Sequence, residues 1–391
     1  MQAAGKLPTK WVLIRGIRQL LTLSGPSGPR RGTAANVLNV IPDAAILLRN
    51  GVVDRMGKAR GVENTSEGRK AQELDAHGAV VLPGLVEPDV ILAPPGQHMA
   101  RKQRETGAAR AAAEMGRYGF AAAGAHTAGA EDLAEVVKIL RAHQSVQLKP
   151  LRIRSILSLP FMEDGQDNTG LLELVADRWL PSIQKRRLAA IVEVTLHDGG
   201  ACASSADTQA VIEMAAGLGF AVRFRSMAAP DAGQTRLAAA IGAIALVAPL
   251  TIQHSLAMPG GSCVQVIPCG ELLGQGPRNA GQAVQEHGMA MALSAGSNPV
   301  EACSVNPQLL LYLACSRLGM TCEEAITAMT WNAACSLRMS NTAGSIEEGR
   351  PADLVALDIP HYADMARRAG NNDVSFVMLG GRIVYARAAI N

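Results

Sequence analysis

The sequence predicts an α/β protein, in which a (β/α)8 barrel carries a small β-sandwich domain formed by both termini. Three observations predict this fold. The chain has 391 residues, a length that suits a barrel with a second module. Eight apolar runs alternate with amphipathic stretches through the middle of the chain, as in parallel strands separated by helices. Both ends instead carry short strand-like runs separated by turn residues.

Each apolar run in the middle of the chain is predicted to form one strand of a closed barrel. These runs are Val80–Leu92, Phe120–His126, Ile153–Leu159, Ile191–His197, Ala221–Met227, Ile244–His254, Val264–Cys269 and Met289–Ser294. The clearest helices between them are predicted at Arg101–Tyr118, Glu131–His143, Leu171–Arg187, Asp207–Leu218 and Asp231–Ile241. Two further helices are predicted at Asn306–Leu318 and Thr321–Ser336, the second begun by Thr321 as N-cap with Glu324 three residues on.

Both ends of the chain consist of short strand-like runs separated by turn residues, a pattern that the middle of the chain lacks. The short strands are predicted at Trp11–Arg15, Ala44–Leu48, Gly51–Met56, Leu354–Leu357, Val374–Leu379 and Ile383–Tyr385. Asn50-Gly51 and Gly380-Gly381 are dipeptides typical of hairpin turns. We therefore predict a composite β domain from residues 1–80 and 338–391, with the barrel in residues 81–337.

The amino-acid composition argues against a nucleic-acid-binding protein, a disulfide-bonded protein and a membrane protein. With 37 basic and 34 acidic residues the net charge is only +3, and the run Lys185–Arg187 has no interleaved aromatic residue, which argues against nucleic-acid binding. The seven cysteines are an odd number without a CxxC pair, so free thiols in a reducing compartment are predicted. No signal peptide or run of eighteen apolar residues occurs, and we expect a cytoplasmic protein that does not bind membranes.

Three stretches carry a resemblance to a known family. Gly344–Asp358 reads GSIEEGRPADLVALD, Cys315–Leu337 ends in a T-x-N-A-A pattern at Thr330–Ala334, and Val80–Gly84 reads VVLPG. These stretches resemble the imidazolonepropionases of the amidohydrolase superfamily. The resemblance implies a barrel hydrolase that cleaves the C–N bond of a cyclic amide in histidine degradation, with zinc or iron as cofactor.

The same resemblance assigns positions to the metal ligands, and this chain departs from them. Asp89 and Ile91 stand where the family has two histidines on the first strand, Arg225 stands for a histidine on the fifth, and Gly296 stands for an aspartate on the eighth. His254 is the weak candidate for a surviving family histidine. No two of the eight histidines lie within four residues of each other. Because a guanidinium stays protonated and cannot ligate, we predict no metal cofactor.

Further polar side chains are predicted at the carboxyl ends of the strands, which gather at one face of a barrel. These candidates for a pocket at the barrel mouth are Asp89, His126, His197, Arg225 and Cys269. Three interpretations stay open for them. They are polar caps of the strands, or Asp89, His126 and His197 form a rearranged metal site together with His254, or Arg225 pairs with Asp89 or clamps the carboxylate of a ligand. Cys269 is better explained as a buried thiol than as a nucleophile.

Three functions follow from these alternatives. In the first, the chain is a catalytically degenerate paralogue that binds a ligand or a partner, such as a related barrel subunit in a homo- or hetero-oligomer. In the second, it is an active hydrolase of a cyclic amide with a rearranged or metal-free site. In the third, it binds a small carboxylated ring compound through Arg225. Whether the chain is an enzyme is left open, since the resemblance implies a hydrolase and the metal-ligand residues are replaced.

Overall fold

Two eight-stranded sheets organise the protein in a computed structural model, which describes residues 10–96, 99–160, 169–196, 206–226, 232–249, 263–268, 270, 272, 288–296 and 306–387. One sheet is built from the middle of the chain and is entirely parallel. The other is built from both ends and is largely antiparallel. This pair of sheets confirms the predicted fold class.

The parallel sheet is a nearly closed barrel whose strands follow one another in chain order. Its strands are β6 (Leu85–Val90), β7 (Phe120–His126), β8 (Arg152–Ser158), β9 (Ile191–Leu196), β10 (Ala221–Ser226), β11 (Ala245–Val247), β12 (Val264–Pro268) and β13 (Ala290–Ser294). They are mostly apolar because helices cover their outer faces and side chains fill the interior. Among the described residues, the first strand β6 and the last strand β13 share no backbone ladder.

Helices alternate with the barrel strands as predicted. The longer helices are Arg101–Arg117, Leu133–Ser145, Ala206–Gly217, Ala232–Ile241 and Pro307–Leu318; the shorter ones are Ala59–Glu63, Thr169–Leu174, Leu180–Lys185, Cys322–Met329 and Trp331–Ser336. A π-helical turn, Val175–Trp179, joins two of the short helices. Thr321 accepts a hydrogen bond from the Glu324 amide and donates its own amide to the Glu324 carboxylate, which confirms the predicted capping box. Within the described chain, no helix has both the length and the apolar character of a membrane span.

The second sheet brings both ends of the chain together. Its strands are β1 (Trp11–Leu21), β2 (Val40–Arg49), β3 (Val52–Lys58), β4 (Gln72–Asp75), β5 (Val80–Pro83), β14 (Leu354–Leu357), β15 (Val374–Leu379) and β16 (Arg382–Ala386). They lie in the order β16, β15, β14, β5, β1, β2, β3, with β4 also beside β1. Asn50 and Gly51 both adopt positive φ in the turn between β2 and β3, as the predicted hairpin requires. The division at residues 80 and 338 stays a prediction.

Two predicted elements are each divided in the structure. The run Val80–Leu92 was predicted to be one strand, but it forms β5 in the second sheet and β6 in the barrel. Gly84 lies between the two, where a Cβ atom would come within 2.2 Å of the Cβ of Ala121. The predicted helix Thr321–Ser336 breaks at Thr330, whose φ of −127° and ψ of −87° are not helical. Gly344 packs against this break, at a position where a Cβ would lie 2.9 Å from the Thr330 carbonyl oxygen.

Candidate functional site

The barrel strands place charged side chains in an interior that is otherwise apolar. Glu87 and Asp89 lie on β6, Glu193 lies on β9, and Arg223 and Arg225 lie on β10. Residues two apart in a strand point to the same face, so each pair projects together. Arg223 is 0% exposed and Glu193 is 1% exposed, whereas Arg225 retains 18% of its side-chain surface. Arg225 is therefore the member of this charge cluster that is most accessible from solvent.

Two guanidinium groups and two carboxylates form the core of the charge cluster. Arg223 Nη2 lies 2.5 Å from Glu193 Oε2 and 2.7 Å from Asp89 Oδ1. Arg225 Nη2 lies 2.5 Å from the same Asp89 oxygen and 3.1 Å from the same Glu193 oxygen. Each arginine thus bridges both acids, and the four formal charges sum to zero. The pairing of Arg225 with Asp89 is one of the arrangements predicted from the sequence.

The arginines determine how the two acids titrate. Burial alone would favour the neutral form of Asp89, but its interactions with Arg225, His126 and Arg223 outweigh this effect and hold the Asp89 pKa well below its usual range. Glu193 is also buried, and the charges of Arg223 and Arg225 lower its pKa to about 2. Burial opposes the charge of Arg225 as well, yet the two carboxylates raise its pKa above the ordinary value. Asp89, Glu193 and Arg225 are therefore ionised at physiological pH.

Glu87 has a different environment, because no arginine contacts it among the described residues. Its Oε1 accepts hydrogen bonds from Ser294 Oγ at 2.5 Å and from the Asp89 amide at 2.9 Å, and its Oε2 accepts one from the Ala295 amide at 2.7 Å. Burial raises the pKa of Glu87 to about 8, although these hydrogen bonds favour the charged form. Glu87 therefore carries a proton near neutral pH and joins the first barrel strand to the end of the last.

His126 ends β7 beside the same cluster. Its Nε2 lies 3.6 Å from Asp89 Oδ1, and its Nδ1 accepts a hydrogen bond from the Ala128 amide at 3.4 Å. Burial lowers the pKa of His126 to about 4, and the negative charge of Asp89 offsets this only in part. The ring is thus neutral at physiological pH. Because Nδ1 accepts the Ala128 amide, the proton lies on Nε2 and faces Asp89.

The structure brings together three of the predicted candidates, Asp89, His126 and Arg225. The others, His197, His254 and Cys269, lie outside the described residues, so a role for them stays a prediction. Sequence reasoning missed three further members of the site, which are Glu87, Glu193 and Arg223. The sequence nevertheless contained a feature that could have identified each of them. An isolated charged residue inside an apolar strand that is buried on both faces requires a partner of opposite charge or a hydrogen-bond network.

The positions that the resemblance assigns to metal ligands do not fit a divalent metal. Ile91 has an aliphatic side chain and Gly296 has none, while the Arg225 guanidinium cannot ligate and is held by two carboxylates. Within the part of the chain that the structure describes, no group of three histidine, cysteine, aspartate or glutamate side chains is arranged to hold a metal ion. The positive charges already present would also repel a dication.

A groove with a cavity volume of about 730 Å³ lies beside the barrel mouth. Its walls come from the segment that follows β6, including Ile91 and Met99, and from the helix Arg101–Arg117, including Arg110 and Glu114. This volume is within the range of sites that hold small organic molecules. Ile91 follows Asp89 by two residues in the sequence, but no side chain of the charge cluster lines the groove.

Comparison with known proteins points to one superfamily. The model of the amidohydrolase family matches residues 258–384. The imidazolonepropionase of Brevibacillus brevis is 27% identical over 435 residues, covering 98% of this chain and 100% of that protein. That of Symbiobacterium thermophilum is also 27% identical, covering 95% and 97%.

Solved structures agree with this result at the level of the fold. The ochratoxinase of A. niger superposes with a TM-score of 0.69 at 16% identity, covering 97% of this chain and 96% of that one. An adenosine deaminase from Xanthomonas campestris with bound zinc has a TM-score of 0.64 at 15% identity, covering 95% and 92%. The chain is therefore similar to the amidohydrolase family over residues 258–384 and to imidazolonepropionases over nearly its whole length, and it shares its fold with the solved structures.

Proposed function

We propose that this chain is a catalytically degenerate, imidazolonepropionase-like protein that uses no metal cofactor and binds a ligand or a partner. One observation carries the proposal. The guanidinium of Arg225, at a position that the resemblance assigns to a metal ligand, forms ion pairs with Asp89 and Glu193. The protein itself thus supplies the positive charge at the centre of the barrel mouth.

The chemical consequence concerns the attacking water. In metal-dependent hydrolases, the ion lowers the pKa of a bound water so that hydroxide forms near neutral pH. An arginine supplies charge but has no open coordination position. Neither Ile91 nor Gly296 offers a donor atom to replace what Arg225 lacks. A cyclic amide held here would therefore meet no activated water, which supports a non-catalytic role.

The ligand class follows from the exposed part of the site. Arg225 is the accessible cation of the cluster, and planar guanidinium groups favour carboxylates. A small carboxylated ring compound is the ligand class that fits this group. In this proposal the protein acts in the cytoplasm, and its partner is a second copy or a related barrel subunit.

Metal content and turnover, measured on the same preparation, test the proposal. We expect substoichiometric zinc and iron by mass spectrometry and no hydrolysis of imidazolone propionate. The zinc-containing adenosine deaminase of Xanthomonas campestris controls for metal loss during purification, and the Brevibacillus brevis relative controls for the assay. One bound zinc or iron per chain together with turnover would contradict the proposal. Turnover by metal-free protein would instead favour the alternative, a hydrolase with a metal-free site.

Ligand binding is tested separately by thermal shift with carboxylated ring compounds. A ligand present at about 100 times its dissociation constant adds about 2.7 kcal/mol to the free energy of unfolding. Arg225→Gln removes the charge that the carboxylate would contact. The shift is expected for the native chain and not for this variant, and an equal shift in both would exclude Arg225 as the binding group.

A further inference from the structure

We infer that a second cavity, at the end of the barrel opposite its mouth, binds a small phosphate-type oxyanion. The cavity has a volume of about 290 Å³, close to the lower limit of sites for small molecules. Its walls come from the end of the helix Leu133–Ser145, the start of β8 and the residues just before β9. Because the amino-terminal ends of barrel strands lie away from the mouth, this cavity is separate from the charge cluster and from the proposed function.

The first argument is a buried imidazole without a partner. His143 lines the cavity and is 0% exposed, and neither of its ring nitrogens has a hydrogen-bond partner among the described residues. Burial lowers the pKa of His143 to about 3, so the neutral ring has one N–H donor and one acceptor nitrogen. A buried polar group without hydrogen bonds is costly. A monohydrogen phosphate offers both kinds of partner, because its anionic oxygens accept and its P–OH group donates.

The second argument is a guanidinium that lacks an acid. Arg154 lines the same cavity, and no carboxylate pairs with it in the described part of the chain, whereas Arg152 on the same strand pairs with Asp353 at 2.9 Å. Arg154 Nη2 donates to the Arg338 carbonyl oxygen at 3.2 Å, but the buried Nε has no partner. Burial and the charge of Arg152 both lower the pKa of Arg154, and an anion in the cavity would offset both effects.

The third argument is the character of the remaining walls. Among the described residues that line the cavity there is no aspartate or glutamate. Ser155 supplies a hydroxyl, and Gln147 offers its carboxamide nitrogen because its oxygen already accepts the Ile153 amide at 2.5 Å. Together with His143 and Arg154, these groups surround the cavity with donors. A phosphate group presents more acceptor oxygens to them than a carboxylate does.

The fourth argument concerns the entrance of the cavity. Arg187 lines the cavity and is exposed, so an anion can enter from solvent beside it. Arg187 also ends the basic run Lys185–Arg187, whose three like charges raise the local concentration of anions. The basic run therefore has a place in the binding of a small anion, although it does not indicate a nucleic-acid surface.

Calorimetric titration with inorganic phosphate at constant ionic strength tests the inference. We expect one phosphate per native chain, and an affinity about tenfold or more weaker in Arg154→Gln, the scale of one hydrogen bond to a charged group. Arg187→Gln should weaken the affinity by about threefold, because an exposed charge contributes less. Arg186→Gln is the matched control, since it removes the same charge from the same run but Arg186 does not line the cavity. If circular dichroism shows that Arg154→Gln does not fold, the comparison of Arg187→Gln with Arg186→Gln decides the test.

Two further compounds define the ligand. Acetate should bind at least about tenfold more weakly than phosphate, and equal affinities would overturn the assignment to a phosphate-type oxyanion. Glycerol 3-phosphate separates the two sources of a phosphate group. Tighter binding than inorganic phosphate would identify a phosphorylated small molecule as the ligand, and weaker binding would identify free phosphate.

Nitrogen NMR of the histidine rings locates the bound phosphate. The ring resonances of His143, assigned through His143→Gln, should shift on addition of phosphate, whereas those of His126 in the barrel mouth should not. Phosphate binding should persist in Arg225→Gln, and its loss there would place the anion in the mouth and overturn the inference. Equal weakening by Arg186→Gln would also overturn it, as would a native chain that responds to phosphate no more than to sodium chloride.

Discussion

Two buried arginines in this protein are stabilised in different ways. Arg223, in the barrel mouth, is 0% exposed and contacts two carboxylates that come from other strands. Arg30, at the junction between the second sheet and the barrel, is 5% exposed. Its side chain donates to three backbone carbonyl oxygens, those of Leu23, Ser24 and Val37. One arginine therefore depends on charges distant in sequence, and the other depends on the course of its own loop.

The junction is completed by the pattern that carried the family resemblance. Asn332 accepts the Arg30 amide at 2.8 Å and donates to the Arg30 carbonyl at 3.0 Å and to the Met291 carbonyl on β13 at 2.9 Å. The Arg30 guanidinium lies 5.4 Å from the ring centroid of Trp331. The T-x-N-A-A pattern thus ties the loop before β2 to the last barrel strand. The residues that carry the resemblance here therefore make scaffold contacts between the two sheets.

The largest expected loss of stability comes from a substitution in the barrel mouth. Arg223→Met removes a charge that two buried carboxylates share, leaving only Arg225 to neutralise them. We expect the free energy of unfolding to fall by about 3–5 kcal/mol, the scale for breaking a buried ion pair. Urea unfolding measures the change. Arg15→Ala is the control, because Arg15 pairs with Glu73 on the surface at 45% exposure and should contribute about 1 kcal/mol or less. Similar losses in both variants would contradict this account of the buried cluster.

An intermediate loss of stability is expected at the junction between the second sheet and the barrel. Asn332→Ala leaves the Arg30 amide and two carbonyl groups without their partner in a buried place, where each unsatisfied group is costly. We expect a loss of about 2–3 kcal/mol in the free energy of unfolding. The matched control is Asn64→Ala, since the exposed Asn64 side chain donates to the Arg60 carbonyl and should change stability by about 0.5 kcal/mol or less. A loss at Asn332 as large as that at Arg223 would remove the distinction between the two regions.

The smallest expected effect is the change in the free energy of unfolding per pH unit that the titration of Glu87 causes. Its pKa in the folded chain is raised to about 8, so its stabilising contribution is complete below the ordinary pKa of a glutamate and is lost as the pH rises through 8. Asp89 and Glu193 have lowered pKa values and change stability only at acidic pH. Between pH 5.5 and 6.5, we expect the native chain to lose up to about 1.4 kcal/mol relative to Glu87→Gln.

Urea unfolding of the native chain and of Glu87→Gln at several pH values measures how steeply the free energy of unfolding changes with pH. The variant lacks an acceptor for the Ala295 amide, which alters its stability at every pH but does not alter the difference in slope. Parallel stability curves across the range would show that Glu87 is already ionised in the folded chain.

Much of the fold was predictable from local pattern. The predicted strands Phe120–His126, Leu354–Leu357 and Val374–Leu379 have the bounds found in the structure. Errors arose where a side-chain pattern continued across a change of sheet, as at Gly84, since apolar character does not record which sheet a strand joins. In the site, the pairing of Asp89 with Arg225 was one of the predicted alternatives. Arg223 and Glu193 were missed, because each was interpreted as part of a strand and not as a charge that needs a partner.

The sequence by itself determined the barrel scaffold, through strand-helix alternation, and the similarity to amidohydrolases, through the turn at Gly344–Asp358. The assignment of Ile91, Arg225 and Gly296 to metal-ligand positions stays a prediction from that resemblance. Only the tertiary structure decided which charges meet. Asp89, Glu193 and Arg225 are separated by up to 136 residues, and their pairing depends on the order of parallel strands around a barrel. The physical reason is that burial and partners set the energy of a charge, and both come from the packing of distant strands.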